Sequence, residues 1–317
     1  MSVAPNLTDP SIREAFRASA LECLGGEWPT QPPLESSIVD VIERDGYRIE
    51  KVRYQVELGE FISAYVLVPL NSKESKLPAV AIWHQHNGEF QIGKSEPAGL
   101  MGNSIHHTGV SLAREGFTVI CPDAICFEER RDVLRDGELE RFTFLRYVVD
   151  GKCLAWKNIL DMRRAIDYLV TRPDVDPERI GCYGHSLGST FTWLVGPWEP
   201  RLKCLVGNCC LPTYEAIHAQ NILHSFSNFI PGLHKYGDTS DLAALVAPRP
   251  MHLNFGVYDT GSPIEYVKPQ LENIRKVYEA VGMPENFSYF IDDRAGHTLS
   301  SAMWEMARAK LLKHLKE

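Results

Sequence analysis

From Pro78 to the end of the 317-residue chain, short apolar runs alternate with longer stretches of helical periodicity. The apolar runs are Ala79–His84, Phe117–Cys121, Arg179–His185, Lys203–Asn208, Pro250–Gly256 and Phe287–Ile291. Each is short and nearly unbroken, the pattern of strands buried on both faces. Between them, Ala155–Thr171 sets Trp156, Ile159, Leu160, Ile166, Leu169 and Val170 at near-helical spacing. It stops before Pro173, as a helix should, because the residue ahead of a proline is pushed out of the helical region. Ile264–Val281 and Leu299–Leu315 read as helices in the same way. Strand–helix alternation of this kind predicts an α/β fold, a mostly parallel central sheet flanked by helices.

The ends and two interior stretches depart from that alternation. Tyr47–Leu58 and Phe61–Val68 alternate apolar and polar positions around Leu58-Gly59-Glu60, which predicts a β-hairpin. Residues 1–46 read as an N-terminal helical extension, with helical spacing from Ile12 to Leu21 broken by Gly25, Gly26 and later prolines. Residues 47–317 then form the main domain. Within it, 127–153 (charged, then aromatic) and 209–249 (rich in aromatics and histidine) fit no strand or helix slot and read as lid-like excursions forming a short cap.

Composition narrows the function classes. Lys+Arg total 33 against Asp+Glu 41, a net charge of −8, which argues against nucleic acid, because such binding draws on Lys and Arg neutralising phosphates. No apolar stretch approaches the length of a membrane span, and the start lacks a basic segment followed by an apolar one, so neither membrane insertion nor export through a cleaved signal is expected. The eight cysteines are scattered, with no C-x-x-C pair and several inside apolar runs. They read as buried free thiols in a reducing cytoplasm, with adjacent Cys209 and Cys210 unbridged because a vicinal disulfide is strained.

The chemistry is carried by Gly184-His185-Ser186-Leu187-Gly188, a G-x-S-x-G pattern. The pattern alone is common; its context is not. A strand precedes it and Leu187–Val195 reads as a helix, so Ser186 falls on a strand-to-helix turn that needs small residues two before and two after the serine. A serine hydroxyl is a poor nucleophile until a base takes its proton, so a histidine and an orienting acid are required. His297 lies between the last strand and the last helix, which returns its ring to the sheet edge where Ser186 stands. Asp259 follows the strand ending at Gly256 and is the expected acid, with Asp292 and Asp293 as rivals that share a loop with His297. His185 is expected to pack under the turn, and His314 to be solvated.

A developing oxyanion needs two backbone N–H groups. Leu187 supplies one; the loop His84-Gln85-His86-Asn87-Gly88 supplies the other, His86 first and Asn87 second. His84 and His86 could share a face toward a metal, but no third ligand at a telling spacing accompanies them, and no metal or other cofactor is expected. Glu128 and Arg130 read as a structural ion pair rather than a substrate contact.

These residues resemble the α/β-hydrolase superfamily. More closely, they are similar to its dienelactone-hydrolase-like and acetyl-xylan-esterase-like branch. The resemblance rests on His84-Gln-His-Asn-Gly, Cys121-Pro-Asp-Ala with Phe127-Glu-Glu-Arg, and Asp161-Met-Arg-Arg-Ala-Ile-Asp-Tyr-Leu. It continues through the run from Arg172 to Gly188 and through Asp241–Pro250, covering about residues 47–317. It implies an α/β-hydrolase fold and the triad Ser186–Asp259–His297. Dienelactone hydrolases proper use a cysteine nucleophile, so Ser186 points instead to a carboxylesterase cleaving small or medium acyl esters through an acyl-enzyme. An amide, peptide or carbon–carbon hydrolase using the same triad is the alternative, and a non-catalytic ligand-binding relative a third reading. The expected partner is a small-molecule ester substrate. A homo-oligomer is left open, since the extension either covers the sheet edge or packs on another subunit.

Overall fold

The hairpin and the apolar runs pair into one nine-stranded sheet in a computed structural model, which describes residues 4–70 and 74–317. The strands are β1 (Ser37–Arg44), β2 (Tyr47–Glu57), β3 (Glu60–Pro69), β4 (Leu77–Trp83), β5 (Thr118–Pro122), β6 (Val175–His185), β7 (Leu202–Asn208), β8 (Met251–Gly256) and β9 (Phe287–Asp292). The helices are α1 (Pro10–Leu24), α2 (Thr108–Arg114), α3 (Asp136–Val149), α4 (Leu154–Thr171), α5 (Leu187–Val195), α6 (Tyr214–Gln220), α7 (Thr239–Ala244), α8 (Ile264–Ala280) and α9 (Ser301–Leu315). Strand order across the sheet is β1-β2-β3-β5-β4-β6-β7-β8-β9. Pairing is antiparallel from β1 to β5 and parallel from β5 through β9. The parallel strands are covered on both faces, as their unbroken apolar runs require. One face packs against α4, α5, α7 and α8, and the other against α2 and α9.

The region expected to be a helical extension holds α1 and also a strand that the pattern does not announce. Strand β1 pairs antiparallel with β2 from Ser37 to Arg44 at the sheet edge, yet all its residues except Ile42 are exposed. With neither face buried, no alternation is imposed on it. Helix α1 begins after Asp9, whose side chain caps it, and buries Phe16, Ala20 and Leu24 in the main core. The segment that follows is tied to α4 by reciprocal bonds from Trp28 Nε1 to the Trp156 carbonyl and from Trp156 Nε1 to the Gly26 carbonyl, both 2.9 Å. Residues 4–46 thus pack on the same body as the sheet, while the first three of the expected extension lie outside the described residues. The two excursions are helical in part: α3 lies in the first, α6 and α7 in the second. Among the described residues no helix is long and apolar enough to cross a membrane.

Buried charge fastens the connections above the parallel strands. The Lys94 ammonium is fully buried and lies 2.6 Å from Asp123, 2.6 Å from Glu128 and 3.0 Å from Glu129. Glu128 also accepts from the Ser95 hydroxyl and from the Gly93 and Ser95 amides. Arg130 pairs with Asp161 and Glu60 rather than with Glu128, and Lys157 pairs with Glu57, Glu60 and Asp161. Glu128 and Arg130 are therefore structural, in separate pairs joined at the end of β5. Removing one partner of such a set leaves an uncompensated charge in a low dielectric. Lys94→Met should lower the unfolding free energy by about 3 kcal/mol or more, measured by urea denaturation; an unchanged midpoint would show that the network adds nothing to stability.

Candidate active site

Strand β6 runs into α5 through a turn at Ser186, the expected nucleophile, with φ of 56° and ψ of −116°. That left-handed backbone is costly for a serine and persists because its surroundings fix it. The Ser186 amide donates to the Asn208 carbonyl at 2.8 Å, and its carbonyl accepts from Thr190 at 3.1 Å. The flanking glycines are dictated by contact. A methyl on Gly188 would sit 1.9 Å from the Trp83 carbonyl oxygen, and one on Gly184 would sit 2.1 Å from Gly188. Only two bare Cα atoms let α5 come this close to β4 and β6.

The three expected triad side chains meet at the carboxyl edge of the sheet. His297 Nε2 lies 2.7 Å from Ser186 Oγ, and His297 Nδ1 lies 2.8 Å from Asp259 Oδ2. Asp259 is 2% exposed, and its Oδ1 accepts from the Gly261 amide at 2.9 Å. A buried carboxylate bonded at Nδ1 makes that nitrogen the proton donor and leaves Nε2 as the acceptor facing the serine. The rivals lie elsewhere. Asp292 accepts from the Ser300 hydroxyl and the Arg294 amide, shaping the turn that carries His297, and Asp293 is exposed.

Ser186 and His297 open on a cleft of about 450 Å³. Leu187, the first residue of α5, and His86, on the loop after β4, line it together, so both expected oxyanion donors border the space beside the nucleophile. As the first residue of a helix, Leu187 has an N–H with no intrahelical partner. Asn87 and Gly88 both have positive φ, 46° and 70°, so the loop turns sharply at this point. The ring nitrogens of His84 and His86 are occupied by other parts of the chain. The Ala124 amide donates to His84 Nε2 at 3.0 Å, and His84 Nδ1 lies 2.7 Å from the Gln85 carbonyl. His86 Nδ1 accepts from the Gly88 amide at 2.9 Å, and its Nε2 lies 3.1 Å from Glu140.

Several lining residues were not legible in the sequence. Glu140 comes from α3, and His224, Ser225, Phe226 and Asn228 come from the second excursion. They converge only through tertiary packing, and no spacing in the chain links 140 to 225. Richness in aromatics and histidine marked the second stretch as a lid-like excursion without selecting residues. His185 is buried as expected, with its ring between those of His106 (centroids 4.6 Å apart) and His297 (5.4 Å). All eight cysteines are free, and Cys210 lines the cleft with its thiol pushed up to about 12 by burial.

A model of the Abhydrolase family matches residues 26–310. YtaP of Bacillus subtilis (strain 168), named as an inferred hydrolase, is 30% identical over 290 residues, covering 89% of this chain and 93% of the relative. Among solved structures, a Bacteroides fragilis NCTC 9343 protein designated an acetyl xylan esterase by inference is 17% identical, with a TM-score of 0.72 over 89% of this chain and 75% of its own. A glucuronoyl esterase from Solibacter usitatus is 16% identical, with a TM-score of 0.69 over 96% of this chain and 92% of its own. These structural likenesses establish a shared α/β-hydrolase fold.

Two outcomes follow from the turn and its supports. Gly188→Ala should cost about 3 kcal/mol or more, because the new methyl meets rigid backbone rather than a movable side chain; a urea midpoint equal to wild type would refute the close-contact account. Burial chiefly holds His84 down to about 4, below its ordinary 6.5. Its neutral form thus stabilises the fold fully above pH 6.5, and that contribution drains away as the pH falls toward 4 and the unfolded chain takes up the proton first. Between pH 7 and pH 5 the wild type should lose about 2 kcal/mol more unfolding free energy than His84→Gln; parallel losses in the two proteins would contradict this.

Proposed function

The chain belongs to the Abhydrolase family, and on that premise we propose that it is a serine carboxylesterase acting on small or medium acyl esters. The observation that carries this reading is the unbroken chain from Ser186 Oγ through His297 to buried Asp259, at 2.7 and 2.8 Å. A cleft of about 450 Å³ beside it suits a small-molecule ester. Fold alone does not select a bond, even though esterases share it.

Ser186 Oγ attacks the ester carbonyl carbon as its proton passes to His297 Nε2. The carbonyl oxygen becomes an oxyanion facing the Leu187 and His86 amides, while Asp259 stabilises the imidazolium and holds its orientation. The carbon–oxygen bond to the alcohol then breaks, and His297 returns the proton to the leaving oxygen. Water, deprotonated by His297 in its turn, attacks the acyl-serine; the bond to Ser186 Oγ breaks, His297 returns the proton to that oxygen, and the acid leaves. The residues of this route need no cofactor.

Hydrolysis of p-nitrophenyl esters from acetate to dodecanoate, by wild type and Ser186→Ala, tests the reading. Turnover should fall by at least about 10³-fold in the variant, with a wild-type optimum at short or medium chains. Undiminished turnover in Ser186→Ala would remove the serine from the mechanism. Folded wild type that cleaves none of these esters would turn attention to amide or carbon–carbon bonds.

A further inference from the structure

Glu140 is a nearly buried carboxylate on α3 that takes no part in the chain from Ser186 to Asp259. It lines the cleft, and its two oxygens are divided between separate segments: Oε2 lies 3.1 Å from His86 Nε2, and the Ser225 hydroxyl donates to Oε1 at 3.3 Å. On the other side of the same imidazole, the Gly88 amide donates to Nδ1 at 2.9 Å. A neutral imidazole has one donor and one acceptor nitrogen, so the Gly88 bond leaves the proton on Nε2, which donates it to Glu140. The His86 ring is also held edge-on by Phe90 and Phe127, with centroids 4.8 and 4.9 Å away.

From this geometry we infer that Glu140 is a positioning residue for the oxyanion site, acting through the His86 ring on the backbone of residues 86–88. This deepens the esterase reading and rests on it. The loop needs such a hold because Asn87 and Gly88 both sit at positive φ, and no β-ladder fixes the chain once β4 has ended at Trp83. The ring folds back onto the amide two residues later, so pinning the ring pins the turn, and with it the direction of the His86 N–H. Because Glu140 belongs to the first excursion and Ser225 to the second, the chain Ser225–Glu140–His86–Gly88 couples the seating of both cap segments to the geometry of the oxyanion site. A donor displaced by an ångström loses most of its selective hold on the transition state, while ground-state binding by the rest of the cleft persists.

The test uses the full chain and compares wild type, Glu140→Ala, Glu140→Gln and His86→Phe on p-nitrophenyl butyrate, with Ser186→Ala as reference. It adds inhibition by an aryl trifluoromethyl ketone, whose hemiketal with the serine carries the oxyanion. Glu140→Ala should lower kcat by about 10–100-fold with KM within about threefold, and weaken the ketone in step with kcat/KM. Glu140→Gln should recover most of that loss, since its amide oxygen still accepts from His86. His86→Phe, which keeps the ring volume between Phe90 and Phe127 and breaks both bonds, should reproduce the Glu140→Ala loss; it decides the matter if Glu140→Ala does not fold. A kcat within twofold of wild type in folded Glu140→Ala or His86→Phe overturns the inference, as does a loss confined to KM with the ketone unaffected. Retained turnover in Ser186→Ala would instead overturn the esterase reading itself, so the two failures are distinguishable.

Discussion

The approach of α5 to β4 is the constraint on which the site depends. Two glycines, Gly184 and Gly188, let the helix start within van der Waals distance of the Trp83 carbonyl, and no side chain of any size fits at either position. The chain between them must then reverse at Ser186 in a left-handed conformation that costs about 1–3 kcal/mol. A fully paired parallel sheet and the buried helix α5 over-determine that turn, so the strain is held rather than relaxed. What results is a hydroxyl raised above the sheet at the N-terminus of a helix. His297 and Asp259 reach it because they follow β9 and β8, whose carboxyl ends lie on the same edge.

Charge burial does for the loops what glycine does for the turn. Lys94 sits among three carboxylates, and Arg130 and Lys157 share Glu60 and Asp161. Taking these ions out of water is expensive, and an apolar set of similar volume would serve stability as well. The network's value lies in direction. Each pair joins a loop to an element that the sheet already holds: the segment after Phe90 to the end of β5, and the β2–β3 turn to α4. The stretch that begins with the proposed oxyanion loop at His84 is anchored about ten residues later by Lys94, so the intervening turn is closed at both ends.

Parts of this molecule were legible from the chain because they are local. The G-x-S-x-G turn announces itself within five residues, and Asp259 and His297 each follow a recognisable strand, so chain order alone brought the three together. The pattern failed where burial imposes no period. Strand β1 is exposed on both sides and reads as part of a helical extension, although Ile38, Val39 and Val41 lie in it. Helix α3 turns Phe142, Leu145 and Val149 to solvent and buries Glu140, so its hydrophobic positions mark no inner face. Glu140 meets His86 from 54 residues away across two irregular segments, and no spacing rule reaches that far. The ion pairs show the same limit: Glu128 and Arg130 are neighbours in sequence, yet each found its partner elsewhere.

The histidines behind His297 bear on why its charge can be managed. His106 and His185 stack in a row that ends at the His297 ring, and burial holds His106 to about 4 and His185 well below its ordinary value. Both are therefore neutral near pH 7. In the proposed reaction His297 becomes an imidazolium as it takes the serine proton, and a charged ring behind it, with centroids 5.4 Å apart, would oppose that step by like-charge repulsion. Neutral, polarisable imidazoles fill the same space without the repulsion, leaving Asp259 as the charge that His297 feels most closely. The Asn208 side chain, 2.7 Å from His185 Nδ1, sits where it can satisfy that ring without charge. The site thus sets one buried carboxylate on one side of His297 and rings kept uncharged chiefly by burial on the other, an asymmetry that would favour the proton transfer of the proposed ester attack.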